Sequence, residues 1–209
     1  MMRNIVLILM LAFMVLLSGC NIVGALLYPI FGGTSKKVDA EYEGLEGKKI
    51  AIFMIAGSNI EYEYSMEMRN LPLTAANLIG KHVKDVSFVD ANEIWKDKFS
   101  NETEWISKPI STLAKQFGAE RVIYIEFYDF TIYAENSINL LQGQARATVK
   151  IYEIDSDQPD RIVHETRITT EYFSEPRLKN PEQESRVRSG IVAKFADELA
   201  KKFYDHKTE

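Results

Sequence analysis

Cysteine, histidine and clustered carboxylates are the side chains best able to do chemistry, and this 209-residue chain uses them sparingly. Cys20 is its one thiol, and His82, His164 and His206 are its three imidazoles. No two histidines stand at a metal-ligand spacing such as H-x3-H. With a single cysteine, no intramolecular disulfide can form. Asp155-Ser156-Asp157-Gln158-Pro159-Asp160 begins like a calcium-binding loop, but Asp160 stands where glycine is needed and Thr166 where the closing glutamate belongs. Asp and Pro are turn residues, so a hairpin turn is the expectation there. Gly32-Gly33-Thr34-Ser35-Lys36-Lys37 lacks the phosphate-loop spacing, and G-x-G-x-x-G occurs nowhere. This pattern points to no catalytic residue, no metal site, no cofactor and no small-molecule substrate. A hydrolase working through carboxylates would need two acids converging in a pocket, and it is the least favoured reading.

The setting of Cys20 is more informative. Arg3 supplies one positive charge, Ile5 to Leu17 is unbroken apolar sequence, and the small residues Ser18 and Gly19 precede the cysteine. A basic start, an apolar core of about 7–15 residues and small residues at a cut are the marks of a secretory signal. A spanning helix needs about 20 apolar residues. An uncleaved anchor is the alternative, because no charge intervenes between Arg3 and Lys36. Leu17-Ser18-Gly19-Cys20 resembles the lipobox of bacterial lipoproteins. The resemblance implies residues 1–19 as a signal peptide, cleavage before Cys20, and diacylation of its thiol. Asn21 after the cysteine tilts the resemblance toward the outer membrane, on its periplasmic face. Residues 20–43 then form the lipidated start and a linker. Its Asn21–Gly33 portion is apolar, suited to the bilayer interface or to packing.

From Cys20 onward the chain carries 24 basic and 30 acidic side chains, a net charge of −6, since Arg3 is the only charged residue removed. That balance argues against a nucleic-acid surface and gives no attraction to anionic lipid. Acyl chains would have to hold the protein at the membrane. The remaining length suits one domain with its own core, placed at residues 44–205, with 206–209 as a tail.

Hydrophobic periodicity predicts the elements of that domain. Lys48–Ala56 is a short apolar run bounded by glycines and reads as a buried strand. Residues 57–70 read as a polar, tyrosine-rich loop leading into a helix. Leu71, Ala75, Leu78, Ile79, His82 and Val83 carry that helix, with Pro72 in its first turn or kinking it. Val86–Asp90 is a second strand, Asn92–Phe99 a short helix, and 101–107 a loop. Ser107 is placed to cap a helix carrying Ile110, Leu113, Ala114 and Phe117, with Gly118 just past its end. Arg121–Tyr133, Leu140–Asp155 and Arg161–Phe173 are three long strands suited to an antiparallel meander. In the second, Leu141, Gly143, Ala145, Ala147, Val149 and Ile151 share one face. A final helix over 182–204 steps its apolar face through Val187, Ile191, Phe195, Leu199 and Phe203. The order β-α-β-α-β-β-β-α implies an α/β domain, one mixed sheet with helices packed on it.

Leu113-Ala114-Lys115-Gln116-Phe117-Gly118-Ala119-Glu120-Arg121-Val122-Ile123 and Val149–Asp155 resemble a group of periplasm-facing bacterial proteins. That group includes the curli-secretion lipoprotein CsgG, the amino-terminal domain of TolB and the lipoprotein activators of penicillin-binding proteins. The resemblance implies a mixed-sheet α/β domain that binds partners and has no catalytic residues. The hairpin linkers here are short, which argues against a membrane-inserted pore. The favoured expectation is a lipid-anchored, non-catalytic binding or assembly module with a protein partner in the envelope. A subunit of a secretion complex is the alternative. Within Glu61–Met68, Tyr62, Tyr64 and Met66 are the candidate interaction patch, since tyrosine and methionine are enriched at interfaces.

Overall fold

The computed structural model describes residues 36–208, and of residues 102–104 it describes the backbone alone. The chain divides into a terminal unit, up to Val38 and from Lys207, and a larger unit, Asp39–His206. Two-residue strands β1 (Lys37–Val38) and β8 (His206–Lys207) lie near the chain ends. In the terminal unit Thr208 N donates to Lys36 O over 3.0 Å.

The larger unit is α/β with one mixed sheet. β2 (Lys49–Ala56) is buried on both faces, as a central strand flanked by parallel neighbours should be. Its neighbours are β3 (Ser87–Phe88) and β4 (Arg121–Tyr133), both parallel to it. β5 (Leu140–Glu153) and β6 (Ile162–Glu171) continue from β4 as an antiparallel meander, giving the order β3-β2-β4-β5-β6. The short β7 (Arg177–Leu178) pairs with the start of β5 and was not expected from sequence.

One sheet face is covered by α2 (Ser65–His82) and α6 (Pro181–Ala200). Val187, Ile191, Phe195 and Leu199 of α6 meet the predicted β5 face, where Ala145, Ala147, Val149 and Ile151 are fully buried. The helix stops at Ala200 and a 3-10 turn carries Phe203 into the same core. The other face holds a smaller core under α3 (Ala91–Ser100), α4 (Glu102–Ser107) and α5 (Ile110–Gln116). There Phe53 meets Trp105 edge-on at 5.0 Å. β4 serves the larger core with Ile123, Ile125 and Phe127, and then with Phe130 and Ile132. The change from odd to even positions comes from a bulge between Phe127 and Asp129. One extra residue flips the alternation and leaves Tyr128 exposed.

Three local readings are corrected. Most of residues 57–70 is helical: α1 (Ser58–Glu63) leads through a turn at Tyr64 into α2, and Pro72 lies inside α2 rather than in its first turn. The apolar stripe begins at Ile60 and runs through Tyr64, Met68, Leu71, Ala75 and Ile79, so burial outweighs the missing donor at Pro72. Residues 102–107 form α4 because Trp105 has a pocket against Phe53 to fill. Ser107 is not the cap of α5; Pro109 occupies that position and has no side chain to cap with.

The cap comes from the β5–β6 turn instead. Asp160 accepts from Ser111 N and Ser111 Oγ, both at 2.8 Å. At its other end α5 closes as expected, with Gly118 at φ +65°. Ala119 N bonds to Ala114 O and Gly118 N to Lys115 O, the paired bonds of a Schellman motif. Asp160→Ala is expected to cost about 1 kcal/mol, the usual value of a lost helix cap, read as a lowered urea midpoint with unchanged slope.

Asp155, at the other end of that turn, is held by Lys48 Nζ at 2.7 Å and by Arg121, whose Nε donates to Gly44 O. Glu120 accepts from Lys49 N at 3.0 Å and from Lys48. Lys48 and then Arg121 hold the Asp155 carboxyl below its usual range. The Lys49 amide and then Lys48 do the same for Glu120. A carboxylate with a depressed folded pKa stabilises the fold above its unfolded pKa, and that contribution is lost as pH falls through the folded value. Thermal midpoints are therefore expected to fall from about pH 4.5 downward, with a shallower fall in Asp155→Asn.

Candidate functional site

Tyr62, Tyr64 and Met66 do not form one surface patch. Tyr62 is 90% exposed and Met66 63%, while Tyr64 is 3% exposed and belongs to the core. Its ring lies 5.0 Å from Phe130, with the Arg188 guanidinium 5.5 Å from its centre. Burial pushes the Tyr64 phenol up to about 12. The helical register explains the split: Tyr64 falls on the stripe with Ile60 and Met68, and its two neighbours point away from it.

Met66 instead opens a groove of about 740 Å³ between α2 and α6. The two helices run side by side in the same direction. Glu67 and Arg188 meet near their amino ends at 3.0 Å, and His82 of α2 stacks on Tyr204, beyond α6, at 4.0 Å. Met66, Leu73, Val192 and Ala193 supply its apolar surface. Arg188, midway along the α6 wall, bonds both Glu67 and Glu184, the latter at 3.2 Å, and Lys179 stands 3.7 Å from Glu184. Its charges thus compensate one another. Sequence reasoning missed this groove, although Ser185, Ser189 and Ala193 at four-residue spacing mark a helix face without bulk.

A second, more polar cleft of about 550 Å³ lies over the far end of the meander, where Asp129, Glu135 and Glu171 share it with Arg146. This is where a carboxylate hydrolase would be sought. Arg146 stands 3.7 Å from Asp129. Gln144, with its amide turned to suit its neighbours, bridges the two at 3.1 and 2.8 Å. Glu135 and Glu171 are solvent-exposed, whereas a carboxyl serving as general acid near neutrality needs an apolar enclosure.

The remaining chemistry-bearing residues have structural settings. His82 and His206 both pack on Tyr204, and His164 sits in the β5–β6 ladder with Nε2 3.6 Å from Glu41. Lys98, 6% exposed, is held by Glu61 and by Met54 O at 3.0 Å, pinning α3 to β2. Among the described residues no group of three histidine, cysteine, aspartate or glutamate side chains is arranged to hold a metal. None of the described helices is long and apolar enough to cross a membrane. Cys20 and the apolar Asn21–Gly33 lie outside the described residues.

No family model and no curated protein matches the chain. Solved structures do align with it. PelC from Paraburkholderia phytofirmans, described as a dodecamer, is 12% identical over 80% of this chain and 96% of that one, with a TM-score of 0.43. A lipoprotein from Neisseria meningitidis is 11% identical over 71% of this chain and 98% of that one, with a TM-score of 0.40. Both likenesses are remote.

Proposed function

We propose that the chain is a lipid-anchored, non-catalytic module of the bacterial envelope that binds a protein partner. The observation that carries the reading is Leu17-Ser18-Gly19-Cys20 directly after the apolar run Ile5–Leu17. Lipid on Cys20 holds the protein at the membrane, and Asn21 directs it to the periplasmic face of the outer membrane. The groove between α2 and α6, with Met66 at its edge, offers the surface for the partner. The kinship with the curli-secretion group belongs to this proposal and draws support from the α5–β4 junction, where the Schellman-closed helix feeds straight into β4.

The test is fractionation with site-directed crosslinking in cells. The protein should sediment with membranes, resist salt and carbonate, and leave only with detergent. A photo-crosslinking residue at Met66 should give one discrete protein adduct that is absent when the residue is placed at Glu175. Recovery in the soluble fraction overturns the anchor. Equal labelling from the two positions overturns the binding surface.

A further inference from the structure

The groove between α2 and α6 has the dimensions of a seat for one helix. It runs from Met66 to Asn77 on α2 and from Pro181 to Ala193 on α6. At 1.5 Å per residue that is about 17 Å, or roughly three helical turns. Both walls repeat at helical spacing: Met66, Asn70, Leu73 and Asn77 on one side, Ser185, Ser189 and Ala193 on the other. Two ridges of this kind, side by side, are the seat into which a third helix packs. Small side chains along α6 allow the close approach such packing needs.

We propose that this groove receives a single amphipathic helix of about three turns from the partner, laid between α2 and α6 with an uncharged, apolar stripe inward. The inference rests on the reading of the chain as a protein-binding module and specifies the partner's chemistry. The two carboxylates of the groove are matched by two cations, Arg188 on Glu67 and Glu184 and Lys179 beside Glu184. A charged group on the inserted stripe would be desolvated without compensation. Met66, 63% exposed, and Leu73, 37% exposed, are the large apolar side chains that the groove leaves open to solvent.

Area excludes a second copy docking through this groove alone. A strip about 17 Å long and roughly 10 Å wide covers about 170 Å². A stable interface buries about 800 Å² on each partner. A helical segment of a larger partner can supply this contact while the rest of the area lies outside the groove, and an amphipathic helix laid in a groove is a recurring mode of recognition.

The test uses the soluble chain from residue 36 to 209 if it retains cooperative unfolding, and otherwise the full chain in detergent. The probe is a capped dodecapeptide with leucines at i, i+4, i+7 and i+11 and alternating Glu and Lys elsewhere. Two controls are a scrambled peptide and one with lysine at the i+4 leucine. The leucine peptide is expected to shift amide resonances of Leu73, Thr74, Ser189 and Ala193, and to bind at least tenfold more tightly than either control. Ser189→Trp, which fills the seat, should abolish those shifts while the folded spectrum elsewhere persists. Equal binding of all three peptides, or shifts centred elsewhere, overturns the proposal. So does self-association of the chain that Ser189→Trp abolishes, since the seat then belongs to a second copy. None of these outcomes bears on whether Cys20 carries lipid.

Discussion

Gly143→Val is expected to be the most damaging single substitution in the folded unit. Gly143 lies in β5 under α6. A Cβ there would stand 2.9 Å from Val187 Cγ2, 3.0 Å from Ile191 Cβ and 3.2 Å from Tyr172 Cβ. Two of the three are Cβ atoms that cannot move without their backbones, so α6 itself must shift. Glycine inside a strand marks such a close approach. Overpacking of this kind costs about 1–3 kcal/mol and at times more, and valine adds three carbons where one already meets backbone-fixed atoms. For a unit of this size each kcal/mol lowers Tm by roughly 2–4 °C, so a fall of about 10 °C or more is expected by calorimetry. A melting curve within a degree or two of the parent would show that α6 is free to move.

Gly190, on the facing side of α6, supplies the control. A Cβ at that position would sit 2.2 Å from the Tyr172 ring. Here the obstacle is a side chain at the edge of the core, its ring tilted against Phe173 at 4.6 Å. Gly190→Ala should therefore expel the tyrosine rather than move the helix. Its cost should be smaller than that of Gly143→Val, and much of it should vanish in a Tyr172→Ala background. The coupling between the two substitutions, measured as a double-mutant cycle, separates a displaced ring from a displaced helix.

These two glycines also show where sequence reading stops. The β5 stripe Leu141 to Ile151 is legible because alternation is a property of one strand, and the helical steps of α6 are legible for the same reason. Gly143 stands in the buried β5 stripe, but which helix crosses over it depends on packing that no local pattern encodes. Tyr64 is a related case. Read as part of a polar loop it looks like surface, and only the continuation of the stripe back to Ile60 takes it inside. The cap of α5 lies outside local reading altogether, because Asp160 is far away in the chain from Ser111 and meets it only when the meander closes. The groove needs both α2 and α6 in place before Met66 and Ser189 share a surface.

Replacement of Cys20 by alanine is expected to have the largest effect on the protein's location. Cut before Cys20, the chain keeps no charge-free run of the ~20 apolar residues that a spanning helix needs, so under the proposed reading the thiol is its main attachment. The chain from Cys20 is net acidic, so anionic lipid gives it no electrostatic attraction. A thioether-linked diacylglycerol supplies two acyl chains at once, and each buried methylene adds about 0.8 kcal/mol. One chain alone gives marginal, reversible binding, whereas two give a stable anchor. If Cys20 carries them as proposed, Cys20→Ala removes both together and also removes the residue before which the signal would be cut. Labelled palmitate should enter the parent and be absent from the variant, and the variant should persist as a longer, uncleaved species. Its fate in fractionation then separates two contributions. If Ile5–Leu17 alone holds the uncleaved chain in the inner membrane, the variant stays with that membrane and does not reach the outer one. Joining Asn21 directly to a cleavable signal that lacks the lipobox removes that run as well, and the product should be recovered in the soluble periplasmic fraction. Retention of that product in the outer membrane would assign the anchoring to Asn21–Gly33 and overturn the role given to Cys20.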